Sequence, residues 1–153
     1  MSEWKPTIAA MREWLKTCPL IAGEQTENGT AFRISGLSPE PVAEFSIEDS
    51  PTDPVVTNYI SGRDMAKNYL FLSRREFGES DVLTIQNSGF FEELADWVME
   101  QNDCGILPDL SECGHGKEAQ SIEVTSTGYI VTDDSGSCKM QMQLRMTYYQ
   151  PKL

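Results

Sequence analysis

The chain has 153 residues, enough for one domain with its own hydrophobic core, and its 39% hydrophobic and 24% charged residues exclude a coiled coil and a wholly disordered protein. The formal net charge is −12, so the protein should repel the phosphates of nucleic acids, and we expect no sequence-specific DNA binding. No segment approaches the about 18 apolar residues of a membrane span and no signal-peptide pattern is present, which predicts a cytoplasmic protein without a membrane partner.

The first predicted element is a helix over residues 7–16. Pro6 suits the start of a helix, and Cys18 and Pro19 end it. Its apolar residues recur at helical spacing: Ile8, Met11, Trp14 and Leu15. A loop rich in Gly, Asn and Thr is predicted to follow over residues 23–30.

Residues 42–48 predict a strand, because apolar and acidic residues alternate there. The acids occupy one side, and the apolar side consists of Ala43, Phe45 and Ile47. The pattern therefore indicates a strand with one buried face. Pro51 and Pro54 interrupt any sheet ladder and predict a loop over residues 49–54.

Residues 59–77 contain a long strand centred on residues 69–72, where apolar side chains occupy both faces. Burial on both faces is typical of a strand in the middle of a sheet, so this one is predicted to be central. Residues 74–76 continue it into polar surroundings, and Gly78 closes it.

Residues 90–102 give the clearest helical pattern of the chain. Asn87 and Ser88 are predicted to cap its start, and Gly105 and Pro108 to end it, with a polar loop beyond. The apolar stripe consists of Phe90, Phe91, Leu94, Trp97 and Val98.

The last part of the chain predicts a β-hairpin with strands at residues 121–131 and 138–149, joined by the turn-rich segment 132–137. The second strand has an apolar row and a polar row: Met140, Met142, Leu144, Met146 and Tyr148 against Gln141, Gln143, Arg145 and Thr147. Amides cost less to bury than charges, so we expect the polar row to contact protein or confined water. An ordinary exposed face is the alternative.

Together these elements predict the α+β class, as a two-layer sandwich in which an antiparallel or mixed β-sheet carries two main helices packed on one face. Residues 1–153 are predicted to form a single domain, because no repeat, low-complexity tract or linker divides the sequence.

Cys104, Cys113 and His115 are the residues that most resemble a metal site, and only Cys138 could complete the set. Structural zinc usually takes four N or S ligands with a close Cys pair, so a loop with incidental free thiols is the favoured interpretation. His115 is the sole histidine, and a His-based hydrolase or transferase would have to use it. No nucleophile elbow, partner carboxylate or phosphate-binding loop accompanies it, so we predict no catalytic, cofactor-binding or metal-binding residue.

Two charged groups are better explained by structure than by binding. Glu92, Glu93 and Asp96 fit the solvated face of a helix more readily than an acidic metal site. Arg74 and Arg75 occupy adjacent strand positions and point to opposite faces, so they are not expected to clamp one phosphate together. The three tryptophans, Trp4, Trp14 and Trp97, likewise indicate core and helix packing in preference to a ligand cage.

Two segments resemble a known family: NYLFLSRREFGESDVLTIQNSGFFEELADWVMEQNDCGILPDL and AQSIEVTSTGYIVTDDSGSCKMQMQLRMTYYQ. They look like the minor capsid or minor tail proteins of tailed bacteriophages that infect Gram-positive hosts. The resemblance covers roughly residues 58–150. It rests on these motifs: Tyr69-Leu70-Phe71, Ser73-Arg74, Asn87-Ser88-Gly89-Phe90 with Trp97, Leu107-Pro108, Ser121-Ile122-Glu123-Val124, Gly128-Tyr129 and Tyr148-Tyr149.

The order of elements and the family's place in phage genomes, between head and tail-tube genes, make the chain similar to tail terminators. Those proteins form a ring, typically sixfold, that caps the tail tube, stops its growth and presents a surface to the head. The resemblance implies a non-enzymatic structural protein that forms a hexameric ring and binds the tail tube protein and the head–tail connector protein. It would occupy the host cytoplasm during assembly and then the virion tail.

Such a protein acts through surfaces, so the strands and the loops at residues 49–58 and 103–118 are expected to make its contacts. A head–tail connector or neck protein is the nearest alternative. Two alternatives of other classes are a small enzyme that uses His115 and an acidic decoy that imitates nucleic acid. The decoy is disfavoured because the acids are spread along the chain and are not massed on one helix face.

Overall fold

A computed structural model describes residues 5–34, 44–76, 81–114, 116–132 and 137–152. Within these ranges the chain forms three helices and six strands. In chain order they are α1 (Thr7–Leu15), α2 (Pro19–Asn28), β1 (Ala31–Ile34), β2 (Glu44–Ser50), β3 (Val55–Asn58), β4 (Gly62–Glu76), α3 (Asp81–Asp103), β5 (Glu118–Thr132) and β6 (Ser137–Pro151). The fold belongs to the α+β class that the sequence predicts. None of the described helices is long and apolar enough to cross a membrane.

Strand β4 lies inside a mixed sheet whose strand order is β1-β2-β4-β6-β5, and β3 pairs with the first part of β4. β1 runs parallel to β2, whereas the other pairs are antiparallel. β4 and β6 pair along their full length, from Gly62 opposite Pro151 to Glu76 opposite Ser137. The central strand and the C-terminal hairpin are therefore confirmed, although Gly78 and the turn residues 133–136 lie outside the described residues.

One hydrophobic core joins the helices to the sheet. The predicted apolar row of β6 is buried, with Met142, Leu144 and Met146 completely inaccessible. Tyr69 of β4 is also fully buried and belongs to the same cluster as Leu94 of α3. Burial of such side chains is the main favourable contribution to folding, at about 25 cal/mol per Å² of apolar surface. The packing of both main helices on one sheet face stays a prediction.

The first and third helices have the predicted cores but not all of the predicted ends. α1 begins after Pro6, which occupies its N-cap position. The apolar stripe of α3 is buried except at Trp97, which is partly exposed. The predicted caps Asn87 and Ser88 are wrong, because α3 begins at Asp81 and runs through both residues. A residue caps the start of a helix only where its own backbone is not helical, and Asn87 and Ser88 lie inside α3.

Helix α2 corrects the prediction of a plain loop over residues 23–30. α2 begins at Pro19 and ends at Asn28, followed by Gly29 in the left-handed conformation at φ 66°. A Pro at the first helical position and a Gly just past the end are ordinary signals of a helix. The sequence does not predict this helix because few of its residues are buried, Ile21 being the fully buried one. Its apolar residues therefore show no clear helical spacing.

Strand β2 corrects the prediction of a single buried face. Phe45 and Ile47 are fully buried as predicted, but Ser46 is also 0% exposed and Glu44 only 2% exposed. Residues 42 and 43 of the predicted strand lie outside the described residues. An acidic residue in a strand normally predicts an exposed position. The prediction fails here because the cationic partners of this carboxylate lie on other strands and cannot be recognised from the local sequence.

Candidate functional site

Three of the five large hydrophobic residues that are exposed among the described residues lie in the end of β3 and the turn that leads to β4. Ile60 is 98% exposed, Val56 50% and Tyr59 46%. The Tyr59 amide donates to the Gly62 carbonyl over 2.7 Å, which closes the turn. Turns usually carry Gly, Asn or Asp, so an Ile in this place has no local structural reason. We call residues 56–62 the tip.

Close packing with the end of β6 fixes the backbone of the tip. The Tyr149 hydroxyl donates to Ser61 Oγ over 2.8 Å, and the Lys152 amide donates to the Ser61 carbonyl over 2.8 Å. A Cβ atom on Gly62 would lie 2.6 Å from the Tyr149 hydroxyl oxygen, so only glycine fits beneath this ring. The end of β6 therefore holds the tip in place, in addition to the pairing of the short strand β3 with β4.

Hydrogen bonds between side chains also fix the sides of the tip. The Tyr59 hydroxyl donates to Asp64 Oδ2 over 2.7 Å, and Arg63 Nε donates to Asn58 Oδ1 over 2.9 Å. The bond to Asp64 raises the pKa of Tyr59 above its ordinary value, so the phenol stays protonated and keeps donating. Because these groups are already ordered, a partner would lose little conformational entropy in binding them.

A second apolar feature lies between α1, α3 and the segment that follows α3. It is a groove of about 730 Å³ with Trp14, Trp97, Ile106 and Leu107 among its lining residues. The two indole rings lie 4.8 Å apart between centroids, and Trp14 Nε1 donates to the Ile106 carbonyl over 3.0 Å. We call this cavity the groove. Trp14 thus packs as the sequence predicts, whereas Trp97 also presents an aromatic surface to solvent, and Trp4 lies outside the described residues.

The rim of the groove is charged unevenly. On one side Glu13 is neutralised by Arg12 at 3.8 Å and by Lys16 at 3.5 Å. Glu112, which also lines the groove, lies 3.7 Å from Lys5, and Asp109 is a further acidic lining residue.

Asp109 stays ionised at this rim. Its Oδ1 atom accepts the Ser111 amide over 2.9 Å, and bonds from Ser111 lower its pKa below the ordinary value. The groove therefore presents the carboxylates of Asp109 and Glu112 beside the ammonium group of Lys5.

A buried ion cluster lies on the sheet, apart from both features. Glu44 Oε1 lies 3.4 Å from Arg74 Nη1, and Glu44 Oε2 lies 3.0 Å from Arg33 Nε. Glu44 and Arg74 are opposite each other in the register of β2 and β4, and the Arg74 side chain is 5% exposed. These contacts tie β1, β2 and β4 together, which is a structural role. The side chain of Arg75 lies outside the described residues.

The other candidate residues do not converge in the described part of the chain. Glu92, Glu93 and Asp96 are exposed along α3, as predicted for a solvated face. Within the described residues no three His, Cys, Asp or Glu side chains are grouped so as to hold a metal ion. His115 and the side chain of Cys138 lie outside those residues.

Cys104 and Cys113, which were weighed as metal ligands and judged incidental thiols, differ in environment. Cys104 is exposed, whereas Cys113 is buried, and burial raises the pKa of the Cys113 thiol. A raised pKa keeps the thiol protonated at neutral pH, so Cys113 is a poor nucleophile and a poor metal ligand in this environment.

No protein-family model and no curated protein matches the sequence. The tip and the groove remain as the features that distinguish the described surface. The sequence contains a signal for the tip, since Ile60 directly precedes the turn residues Ser61 and Gly62, but none for the groove, whose walls come from residues far apart in the chain.

Proposed function

We propose that this chain is a structural protein of a phage tail, specifically a tail terminator whose copies form a ring. The ring caps the tail tube, stops its growth and joins it to the head. Two observations of different kinds support the proposal. Residues 58–150 resemble the minor capsid and minor tail proteins of tailed phages, and the surface carries ordered apolar features suited to protein contacts.

The observation that carries the proposal is the ordered tip. Ile60 is 98% exposed on a turn that β6 fixes through Ser61, and such exposure of a large aliphatic side chain has no benefit for the isolated subunit. Exposed apolar groups on ordered elements are typical of protein interaction sites. The partners that the proposal assigns are further copies of the chain, the tail tube protein and the head–tail connector protein.

The proposed role needs no catalytic residue, cofactor or metal. It requires the chain to meet like copies and two different partners through separate surfaces, and the tip and the groove lie on different elements. In the proposed life cycle the protein is made in the host cytoplasm and is then built into the virion tail.

Electron cryomicroscopy of assembled particles tests the position of the protein. The proposal predicts one closed ring of about six copies at the head-proximal end of each tail. A ring located inside the neck and away from the tube end would favour the alternative role of a head–tail connector. Copies distributed along the tube would contradict both roles.

A further inference from the structure

We propose that Ile60 at the tip of one copy inserts into the groove of the next copy, and that this contact joins neighbouring subunits of the ring. The existence of a ring rests on the proposed function. What the inference adds is the pair of surfaces that would hold the ring together.

The two surfaces match in chemistry. The tip presents an aliphatic side chain flanked by the Tyr59 ring, and the groove presents the Trp14 and Trp97 rings beside Ile106, which is itself 53% exposed. Insertion would remove apolar surface of both partners from water, which is the main driving force of protein association. At about 730 Å³, the groove has room for the Ile60 side chain.

Both surfaces are already ordered in the single subunit. Tyr149 and Lys152 hold Ser61 of the tip, while the bond from Trp14 to the Ile106 carbonyl fixes the wall of the groove. A contact between ordered surfaces avoids much of the entropic cost of binding. The tip and the groove could therefore meet without rearrangement of either backbone.

Charge complementarity identifies a second copy as the occupant. The chain as a whole has a net charge of −12, so copies should repel one another unless a contact brings opposite charges together. Two cations lie beside the tip, Arg63 and Lys152, together with Asp64, whose carboxylate accepts the Tyr59 hydroxyl. The groove presents the carboxylates of Asp109 and Glu112. Docking the tip there would place Arg63 near these two carboxylates.

The symmetry of the contact accounts for a ring. Two different surfaces of the same chain meet, so each copy uses its tip on one neighbour and its groove on the other. Such heterologous contacts build closed rings when the rotation between copies closes, whereas a self-complementary patch would stop at a dimer.

Disulfide trapping between two variants tests the contact. One variant carries Ile60→Cys and the other carries Gln101→Cys, a partly exposed position that lines the groove. Both also carry Cys104→Ser, because Cys104 is the exposed native thiol among the described cysteines. Mixed under mild oxidation, the two 17.2 kDa chains should form a crosslinked species of about 34 kDa on a non-reducing gel.

A matched control lies on the same helix. Met99→Cys replaces a residue that is 47% exposed on α3 but does not line the groove. The proposal predicts that Ile60→Cys crosslinks to Gln101→Cys at least about tenfold faster than to Met99→Cys. Thr17→Cys gives a second groove position if Gln101→Cys does not fold. Equal rates for groove and control positions would overturn the proposal.

Charge reversal distinguishes the proposed contact from crosslinks that form by random collision. Arg63→Glu in the tip variant should slow the crosslink by about two- to fivefold, the usual effect of one exposed ion pair. Glu112→Arg in the groove variant should restore the rate. If neither substitution changes the crosslinking rate, the tip does not bind beside Glu112.

The chain's own first residues are the competing occupant of the groove. If they fill it, the groove variant would crosslink no faster than the control, and removal of residues 1–4 would raise its rate. The proposal predicts a fast crosslink that is unchanged by that removal.

A single chain carrying both cysteines separates this inference from the proposed function. It should give a ladder of crosslinked oligomers that ends at one closed species. A ladder without an end would show that the contact exists but builds filaments, which would contradict the ring. Absence of any ladder would overturn the proposed contact between tip and groove. It would leave the proposed function untouched, since microscopy decides the position of the protein in the tail.

Discussion

Tyr149 lies so close to Gly62 that no side chain fits between them. A Cβ atom at position 62 would come within 2.6 Å of the Tyr149 hydroxyl oxygen and 2.5 Å of the Gln150 carbonyl oxygen. Gly62 is the first residue of β4 and pairs with Pro151 at the end of β6. The close approach thus couples the last residues of the chain to the exposed tip.

We predict that Gly62→Ala lowers the free energy of unfolding by about 1–3 kcal/mol, because the backbone of β6 must move to admit a methyl group. Urea denaturation measures the effect. Gly89→Ala is the control, since a Cβ there meets nothing within 4 Å and the residue lies inside α3. That variant should be as stable as the natural chain or more stable by up to about 1 kcal/mol. A Gly62→Ala variant of natural stability would contradict the close packing.

The ion cluster predicts a large cost for removing its acid. Glu44→Ala takes away a carboxylate within 3.4 Å of Arg74, a side chain only 5% exposed. Leaving a buried guanidinium without this partner should cost about 3–5 kcal/mol. Asp49→Ala on the same strand removes an exposed partner of Lys67 and should cost at most about 1 kcal/mol. Equal losses in the two variants by thermal or chemical denaturation would show that the cluster does not stabilise the sheet.

The cysteines should differ in their reactivity toward a thiol reagent. Cys104 is exposed, whereas burial raises the pKa of Cys18 and of Cys113. Because the thiolate is the reactive form, a raised pKa means less reactive sulfur at pH 7 to 8, and burial also blocks the reagent. Mass spectrometry at successive times should find Cys104 modified before Cys18 and Cys113, which should react only under denaturing conditions. Modification of Cys113 as fast as Cys104 would contradict its buried position.

The charge of the chain predicts weak contact with DNA. If the proposed ring surrounds the path of the genome, subunits with a net charge of −12 should let phosphates pass without retaining them. Labelled duplex DNA should show no binding at about 0.15 M salt in a gel-shift or anisotropy experiment. Tight retention there would argue against a ring around the genome and in favour of another role.

Regular burial patterns could be predicted from the sequence with most success. In β6 the apolar row ending at Tyr148 is buried, and exposure of Gln143 on the other row agrees with the alternation. The stripe on α3 is correct for the same reason, since Leu94 and Val98 repeat at the helical period. When one face of a helix or strand is buried, its apolar residues recur at regular spacing. That spacing can be recognised in the sequence without knowing which elements pack against the face.

Features that depend on distant partners could not be predicted in this way. Glu44 looks like a solvent-facing acid until Arg33 and Arg74 are brought beside it from other strands. The groove requires Trp14 and Trp97, which are far apart in the chain, to lie 4.8 Å apart between ring centroids. Helix α2 was missed for the opposite reason, because it buries too few residues to leave a period. The loop expected at residues 49–58 is only partly a loop, because β2 extends to Ser50 and β3 occupies Val55–Asn58. The expected segments 49–58 and 103–118 contain Val56 of the tip and Ile106 of the groove, but whether they form contacts between subunits stays a prediction.

The length of the tails tests the central claim most directly. Particles assembled without this protein should carry tails of widely varying and often excessive length, since nothing would stop polymerisation of the tube, and supplying the protein should restore one length. Lengths measured by negative-stain microscopy give the distribution. Tails of normal, uniform length in the absence of the protein would contradict the terminator role.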